Sequence, residues 1–277
     1  MVASKLSQAR IRVWARVPTL NLTWAWQQHP EWRIAAGAPP SRQPRRPAGA
    51  PQAAADRWPT RLAPDLPEAK RAAIDFVSDL AVYAPLDGVV FDDDAAMGPG
   101  ESLVESRAAT TADKAAAIDD LLARCRDAVR AWRPECRFAR IVDATVVEAA
   151  RVQPELAQDF SHIMRDNDLT VVNAPPDRPG ADSRLRAVGR RAVARWRGLG
   201  RGARGPVPVL LSLQVSESDT GRGVSGRRLR ERAATALSSG VGNLGVRPVA
   251  PDGGDLPEGL LDAGPLIGPV TGEQPVR

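Results

Sequence analysis

The sequence predicts an α/β fold: an incomplete (β/α)8 barrel of the TIM type, with about six βα units. Three observations predict it. Short apolar, strand-like runs alternate with segments of helical periodicity, a pattern that implies right-handed βαβ units and a parallel sheet. No glycine-rich phosphate loop follows the early strands, which argues against a dinucleotide-binding fold. The 277 residues, 43% of them hydrophobic, are enough for one large domain with a sizeable core.

The elements follow in order. Ile11 to Val17 alternates as IRVWARV and reads as a strand. Residues 38–57 are rich in Pro, Ala and Arg and read as a disordered insertion. A helix begins at Pro67, which suits a first turn, with Ala69, Ala73, Phe76, Val77 and Leu80 on one apolar face. Gly88 to Phe91 is the next strand. A second helix from about Asp113 carries Ile118, Leu121, Leu122, Cys125, Val129 and Trp132 on one face. Phe138 to Val142 is a strand, a helix surrounds Leu156, Phe160 and Ile163, and Leu169 to Val172 is a strand. An arginine-rich helix covers 183–198, with Leu185, Val188, Ala192 and Trp196 facing inward. Pro208 to Val215 is a strand. The helix near Leu229, Ala233 and Leu237 stops at Gly240, and Val241 to Val246 forms a last strand. The domain so predicted spans 1–250, and 251–277 is an irregular tail.

Composition excludes several function classes. Of the 38 basic residues only Lys5, Lys70 and Lys114 are lysines, leaving 35 arginines. They are spread along the chain without a nucleic-acid-binding aromatic signature, so the net charge of +5 does not point to a nucleic-acid partner. Cys125 and Cys136 cannot build a disulfide framework, and no zinc spacing exists. They read as buried small hydrophobes. His29 and His162 are too few for a histidine-rich metal site, and no cofactor is predicted. No stretch approaches the roughly 18 apolar residues of a membrane helix. The opening MVASKLSQARIRVW lacks the apolar core of a signal peptide, so the chain as written reads as cytoplasmic if complete.

The chemistry concentrates where the apolar run Val89-Val90-Phe91 ends in Asp92, Asp93 and Asp94, with Glu101 soon after. Active sites of (β/α) barrels lie where strands end and βα loops begin. Crowded carboxylates do not all ionise easily, so one stays protonated beside an ionised neighbour, the pair that glycosidic cleavage requires. A solvated acidic turn, a helix-capping cluster and a divalent-metal loop are the other readings of the same residues. Arg140, on the neighbouring strand, is expected to pair with Asp93 or Asp94. Trp24, Trp26 and Trp32 follow the first strand, where aromatic faces stack on sugar rings or cover an open core.

The segment RLAPDLPEAKRAAIDFVSDLAVYAPLDGVVFDDDA resembles the C-terminal glycoside-hydrolase domain of PgaB-type poly-β-1,6-N-acetyl-D-glucosamine N-deacetylases. The resemblance is carried by Arg61-Leu62-Ala63-Pro64, Asp79-Leu80-Ala81, Asp87-Gly88 and Asp93-Asp94-Ala95. Lys114, Arg133-Pro134 and Ala139-Arg140 follow in the same order. Ala15, Pro18, Leu20, Gln158, Asp168, Ala174, Pro176 and Leu213-Gln214 also match. The chain departs from the pattern at Asp92, where the family has His, and at Arg16, where it has Trp. It departs also at Ile141 for Asn, at Asn173 and Pro175 for two Met, and at Ser212 for Glu.

The resemblance implies binding and endo-cleavage of partially deacetylated poly-β-1,6-N-acetylglucosamine, a biofilm polysaccharide, in the periplasm. Outer-membrane export machinery enters as a partner by family analogy. It implies Asp93 and Asp94 as catalytic residues, and Asp92, Glu101, Arg140, Trp24, Asn173 and Gln214 as substrate-binding. It also implies that the chain starts at the family's third barrel strand, N-terminally truncated, with two βα units and the deacetylase domain outside it. The alternative is a non-catalytic or degenerate polysaccharide-binding remnant of the same family.

Overall fold

The computed structural model describes residues 12–36, 58–106, 108–200, 207–215 and 224–247; the insertion read at 38–57 and the tail at 251–277 lie outside them. Six parallel strands, β1 (Trp14–Val17), β3 (Gly88–Phe91), β5 (Arg137–Asp143), β6 (Leu169–Asn173), β7 (Val209–Gln214) and β8 (Asn243–Arg247), make one sheet in that order. This is the incomplete TIM-type barrel sheet that the alternation predicts. The chain divides into two compact units, Met1–Thr170 and Val171–Arg277.

In the first unit, parallel pairing sets Ala15 opposite Val89 and Val17 opposite Phe91, and β5 continues it with Phe138 opposite Val89 and Arg140 opposite Phe91. Side chains alternate between the faces of a strand. Val89, Phe91 and Phe138 therefore share one face, where they are fully buried and the two phenylalanine rings stack 6.1 Å apart. That face packs on α2 (Pro67–Tyr83) and α3 (Thr111–Trp132). The inward stripe of α2 is Ala69, Ala73, Val77 and Ala81, small enough for a close approach to α3. Phe76 and Leu80, expected on that stripe, flank it half-buried.

Thr110 and Asp113 cap α3 reciprocally: Asp113 N–H donates to Thr110 Oγ1 (3.2 Å) and Thr110 N–H to Asp113 Oδ2 (2.8 Å). Ile118, Leu121, Leu122, Cys125 and Val129 are buried as expected. Trp132 is not: it closes the helix 59% exposed, its indole N–H donating to Ser78 of α2 at 3.1 Å. Burial pushes the Cys125 thiol up to about 12, consistent with an inert packing residue.

Local hydrogen bonding moves some boundaries. The helix expected around Leu156 starts only at Phe160 (α5, Phe160–Asp166). Asp159 caps it by accepting from Ser161 and His162 N–H groups (2.8 and 3.1 Å), while Leu156 sits in the preceding turn. Four short elements have no periodic signature: α1 (Thr23–Gln28), a 3-10 turn (Pro30–Trp32), α4 (Ala144–Glu148), and an antiparallel ribbon pairing β2 (Ala35–Ala36) with β4 (Glu101–Ser102).

In the second unit, β7 and β8 pair in parallel from Leu210 opposite Asn243 to Gln214 opposite Arg247. Helices α6 (Ala181–Gly198) and α7 (Gly226–Leu237) pack with them. Leu185, Val188 and Ala192 are the buried stripe of α6, as its periodicity predicts, whereas Trp196, expected on the same stripe, is only half-buried near the helix end. Gly189 lets α6 approach the end of α7, since a Cβ there would stand 2.0 Å from Ser239 Oγ. Gly240, at φ +91°, ends α7 in the left-handed conformation expected of it.

Candidate active site

The three aspartates leave β3 in three directions. Asp92 extends the ladder by one bond, its N–H donating to Val17 O at 2.9 Å. Its side chain lies on the face opposite the helices, as does that of Arg16, which stands opposite Val90. Arg16 forks onto it, Nε to Oδ2 at 2.9 Å and Nη2 to Oδ1 at 2.7 Å. Asp93 N–H also donates to Asp92 Oδ1, at 2.7 Å, and the Asp93 carboxyl is hydrogen-bonded to that of Asp92. Burial pushes the Asp92 carboxyl up, but the Arg16 fork and the bonds from Asp93 outweigh it and hold the group below the ordinary carboxylate range.

Asp94 turns inward and is 1% exposed. It accepts the backbone N–H groups of Thr19 (2.9 Å), Leu20 (2.8 Å) and Asn21 (2.5 Å). Those donors belong to the β1–α1 loop, so one carboxylate fixes the segment that leads into Trp24. Burial pushes Asp94 up to about 6 against the pull of these donors, with the negative charge of Asp92 adding to the rise. The sequence reading attributes such a rise to like-charge crowding; burial is the larger cause.

The next turn is held by buried cations. Arg140, 2% exposed, is expected from its strand position to pair with Asp93 or Asp94. It pairs instead with Asp119 of α3 (Nη1–Oδ1 2.8 Å), and its Nη2 donates to Ala95 O at 2.9 Å. The reason is alternation: Arg140 is two residues from Phe138, on the helix-facing side of β5. Gln158 Nε2 donates to the same Ala95 carbonyl at 2.8 Å. Arg61, 3% exposed, bonds to Ala96 O and pairs with Glu101, whose second oxygen accepts Gly98 N–H at 2.7 Å. Lys114 Nζ donates to Gly98 O at 2.9 Å. Glu101 is therefore engaged by Arg61 and by its own loop.

Of the tryptophans, Trp24 is 48% exposed, Trp26 lies 3.7 Å beneath the Arg33 guanidinium, and Trp32 stacks on His29 at 3.6 Å. In the second unit Asn173 ends β6 and Gln214 ends β7, both buried. Among the described residues no group of three or more His, Cys, Asp or Glu side chains is arranged to hold a metal ion. No described helix is long and apolar enough to cross a membrane. Sequence reasoning missed the supporting Asp119, and it met Arg61, Lys114 and Gln158 only as matches to a pattern, without their structural roles. It met Arg16 only as a departure from a pattern. The signal available was a conspicuous cation, Arg16, placed one residue before the end of a strand.

Comparison with solved structures now bears on this arrangement. The chain superposes on the PgaB (BpsB) glycoside hydrolase domain from Bordetella bronchiseptica with a TM-score of 0.68 at 21% identity, over 89% of this chain and 73% of that one. The fold is that of the PgaB glycoside hydrolase domain. A second similar structure is the β-galactosidase of the psychrophilic Marinomonas ef1, with a TM-score of 0.51 at 11% identity, over 88% of this chain and 45% of that one. No family model and no curated protein matches the chain. With the PgaB-like fold given, the Asp92–Asp94 turn stands at the end of a parallel strand where (β/α) barrels place their catalytic groups.

Proposed function

We propose that this chain binds and endo-hydrolyses partially deacetylated poly-β-1,6-N-acetyl-D-glucosamine, with Asp93 as general acid. The observation that carries the reading is the coupled turn at the end of β3: Asp92 ionised under the Arg16 fork, and Asp93 hydrogen-bonded beside it. A carboxyl held next to a carboxylate is the acid component of glycoside cleavage. In the reaction the Asp93 proton passes to the glycosidic oxygen, and the C1–O bonding pair goes to that oxygen, which leaves as a hydroxyl. Water adds to C1 and its proton returns to Asp93. The developing positive charge at C1 is stabilised by the Asp92 carboxylate or by the substrate's own 2-acetamido group. The free amines of the deacetylated polymer suit an acidic mouth. Asp94, proposed from sequence as the second catalytic carboxyl, serves in this reading as the anchor of the β1–α1 loop, because its oxygens are taken by three backbone donors. Trp24 offers its exposed ring to the apolar face of a sugar.

A specific observation favours a second reading, a polysaccharide-binding remnant without turnover. Glu101 is spent on Arg61 and Gly98 N–H, and the buried Ile141 brings no polar group to β5. Release of oligosaccharides from the polymer by wild type and by Asp93→Asn, with polymer binding measured in parallel, decides between them. Release by wild type and none by Asp93→Asn supports the enzyme. Binding without release by either supports the remnant. Periplasmic location and association with export machinery belong to the same proposal and rest on the likeness to PgaB.

A further inference from the structure

We infer that Arg16 is a positioning residue that decides which carboxyl of the Asp92–Asp93 pair carries the proton: its fork makes Asp92 the ionised acceptor and leaves Asp93 the donor. The inference deepens the cleavage reading by naming what sets its acid, but the placement of the proton is a property of the free protein.

The argument starts from counting donors. Both oxygens of Asp92 are bound by Arg16, at 2.9 and 2.7 Å, and Oδ1 takes the Asp93 N–H as well, at 2.7 Å. Every one of these donors favours a negative charge on Asp92. Two hydrogen-bonded carboxyl groups hold one proton between them, and it resides on the group less favoured as an anion. The other charged groups around the turn do not reverse the bias. Asp94, on the same turn, is directed to the amides of Thr19, Leu20 and Asn21 and adds negative charge beside Asp92. Arg140, from β5, is engaged by Asp119, and Arg61 by Glu101, although Arg61 also acts on Asp94. Arg16 itself feels Asp92, Asp93 and Asp94 together, so it is the cation of β1 that faces the whole turn.

Sequence order strengthens the case. Arg16 and Asp92 are both positions where the chain departs from the pattern it otherwise resembles, and the structure joins those two departures in one bidentate pair. An aspartate at 92 without this arginine would leave Asp92 and Asp93 as neighbouring like charges distinguished only by the Asp93 N–H bond. The fork also needs a planar guanidinium, because a lysine delivers a point charge to one oxygen only.

The experiment is a carbon-detected NMR titration of the aspartate carboxyls in the full chain without glycan, for wild type, Arg16→Gln and Arg16→Lys. In wild type Asp92 titrates at lower pH than Asp93. Arg16→Gln raises the Asp92 midpoint by about one pH unit or more and brings the two midpoints together, the scale expected when a cation within contact distance is removed. Arg16→Lys restores the order and only part of the separation. Asp92→Asn is the companion variant should Arg16→Gln fail to fold. It removes the neighbouring anion, so the Asp93 midpoint falls. An Asp93 that titrates first in wild type, or an Asp92 midpoint indifferent to Arg16→Gln, overturns the inference. Since the titration is read on free protein, ordered midpoints in a chain that cleaves nothing uphold the role of Arg16 and remove only the cleavage reading.

Discussion

Two clusters of charge, one in each unit, are built on opposite plans. In the second unit Arg228 takes both oxygens of Asp177 (2.8 and 2.6 Å) and both of Asp182 (2.8 and 3.0 Å), and the buried Arg232 adds a pair to Asp177 at 3.0 Å. Cations and carboxylates there meet directly. Asp177 is drawn well into its ionised form by Arg228, and Arg228 is held in its charged form by both carboxylates. At the end of β3, three successive aspartates are divided among a surface guanidinium, each other and a set of backbone amides. The difference separates a clamp from the turn we propose as the reactive group. A network whose charges satisfy one another holds helices, here α6 and α7. At the turn, one carboxylate is held ionised by a guanidinium fork beside a second carboxyl hydrogen-bonded to it.

Four expected outcomes test that contrast, from the largest effect down. Asp93→Asn should lower polymer cleavage by about 100-fold or more, the scale of a lost general acid, with polymer binding kept. Cleavage at the wild-type rate would break the assignment of chemistry to the turn. Asp94→Ala should cost about 3 kcal/mol in urea unfolding, because the buried amides of Thr19, Leu20 and Asn21 lose their acceptor. A cost under about 1 kcal/mol would mean that water replaces the carboxylate, and that the loop does not depend on it.

The third outcome concerns pH. Burial raises Asp94 to about 6 in the folded chain, above the ordinary value of 3.8 that applies when unfolded. Between those values the folded chain holds the proton and the unfolded chain has lost it. The stability contributed is therefore fully present below the unfolded value and is lost as pH rises through about 6. Measured against Asp94→Asn, wild type should lose about 2–3 kcal/mol between pH 4 and pH 7. A difference that is flat with pH would show that the amide donors, not burial, govern the group. The smallest effect is expected in the second unit: Arg228→Met should cost about 1 kcal/mol in unfolding, since Arg228 is 29% exposed and Asp177 keeps Arg232. A loss as large as that of Asp94→Ala would erase the distinction between the two clusters.

The fold was legible because its signals are local and repeated. Each barrel strand in the sheet falls within or beside a short apolar run. Helices α2, α3, α6 and α7 bury most of the stripes that period 3.6 marks out; Trp132 is exposed at the end of α3, and Phe76, Leu80, Trp196 and Leu237 are half-buried. Elements shorter than two turns, such as α1 and α4, carry no period to read. At the candidate site, the run Asp92–Asp94 at a strand end was evident from the residues themselves, and the burial of Cys125 and Cys136 followed from composition.

The amino-acid sequence by itself determined the order of strands and helices, the acidic turn after β3 and the arginine one residue before the end of β1. Only the tertiary structure decided how those groups divide. Pairing of β1 with β3 put Arg16 and Asp92 on one face, alternation turned Arg140 away to Asp119, and the fold of the β1–α1 loop gave Asp94 its amides. The physical reason is range. Periodicity and strand ends are set by neighbours along the chain, whereas the partner of a carboxylate, and hence its proton, is set by residues about 70 or more positions away that register alone brings within 3 Å.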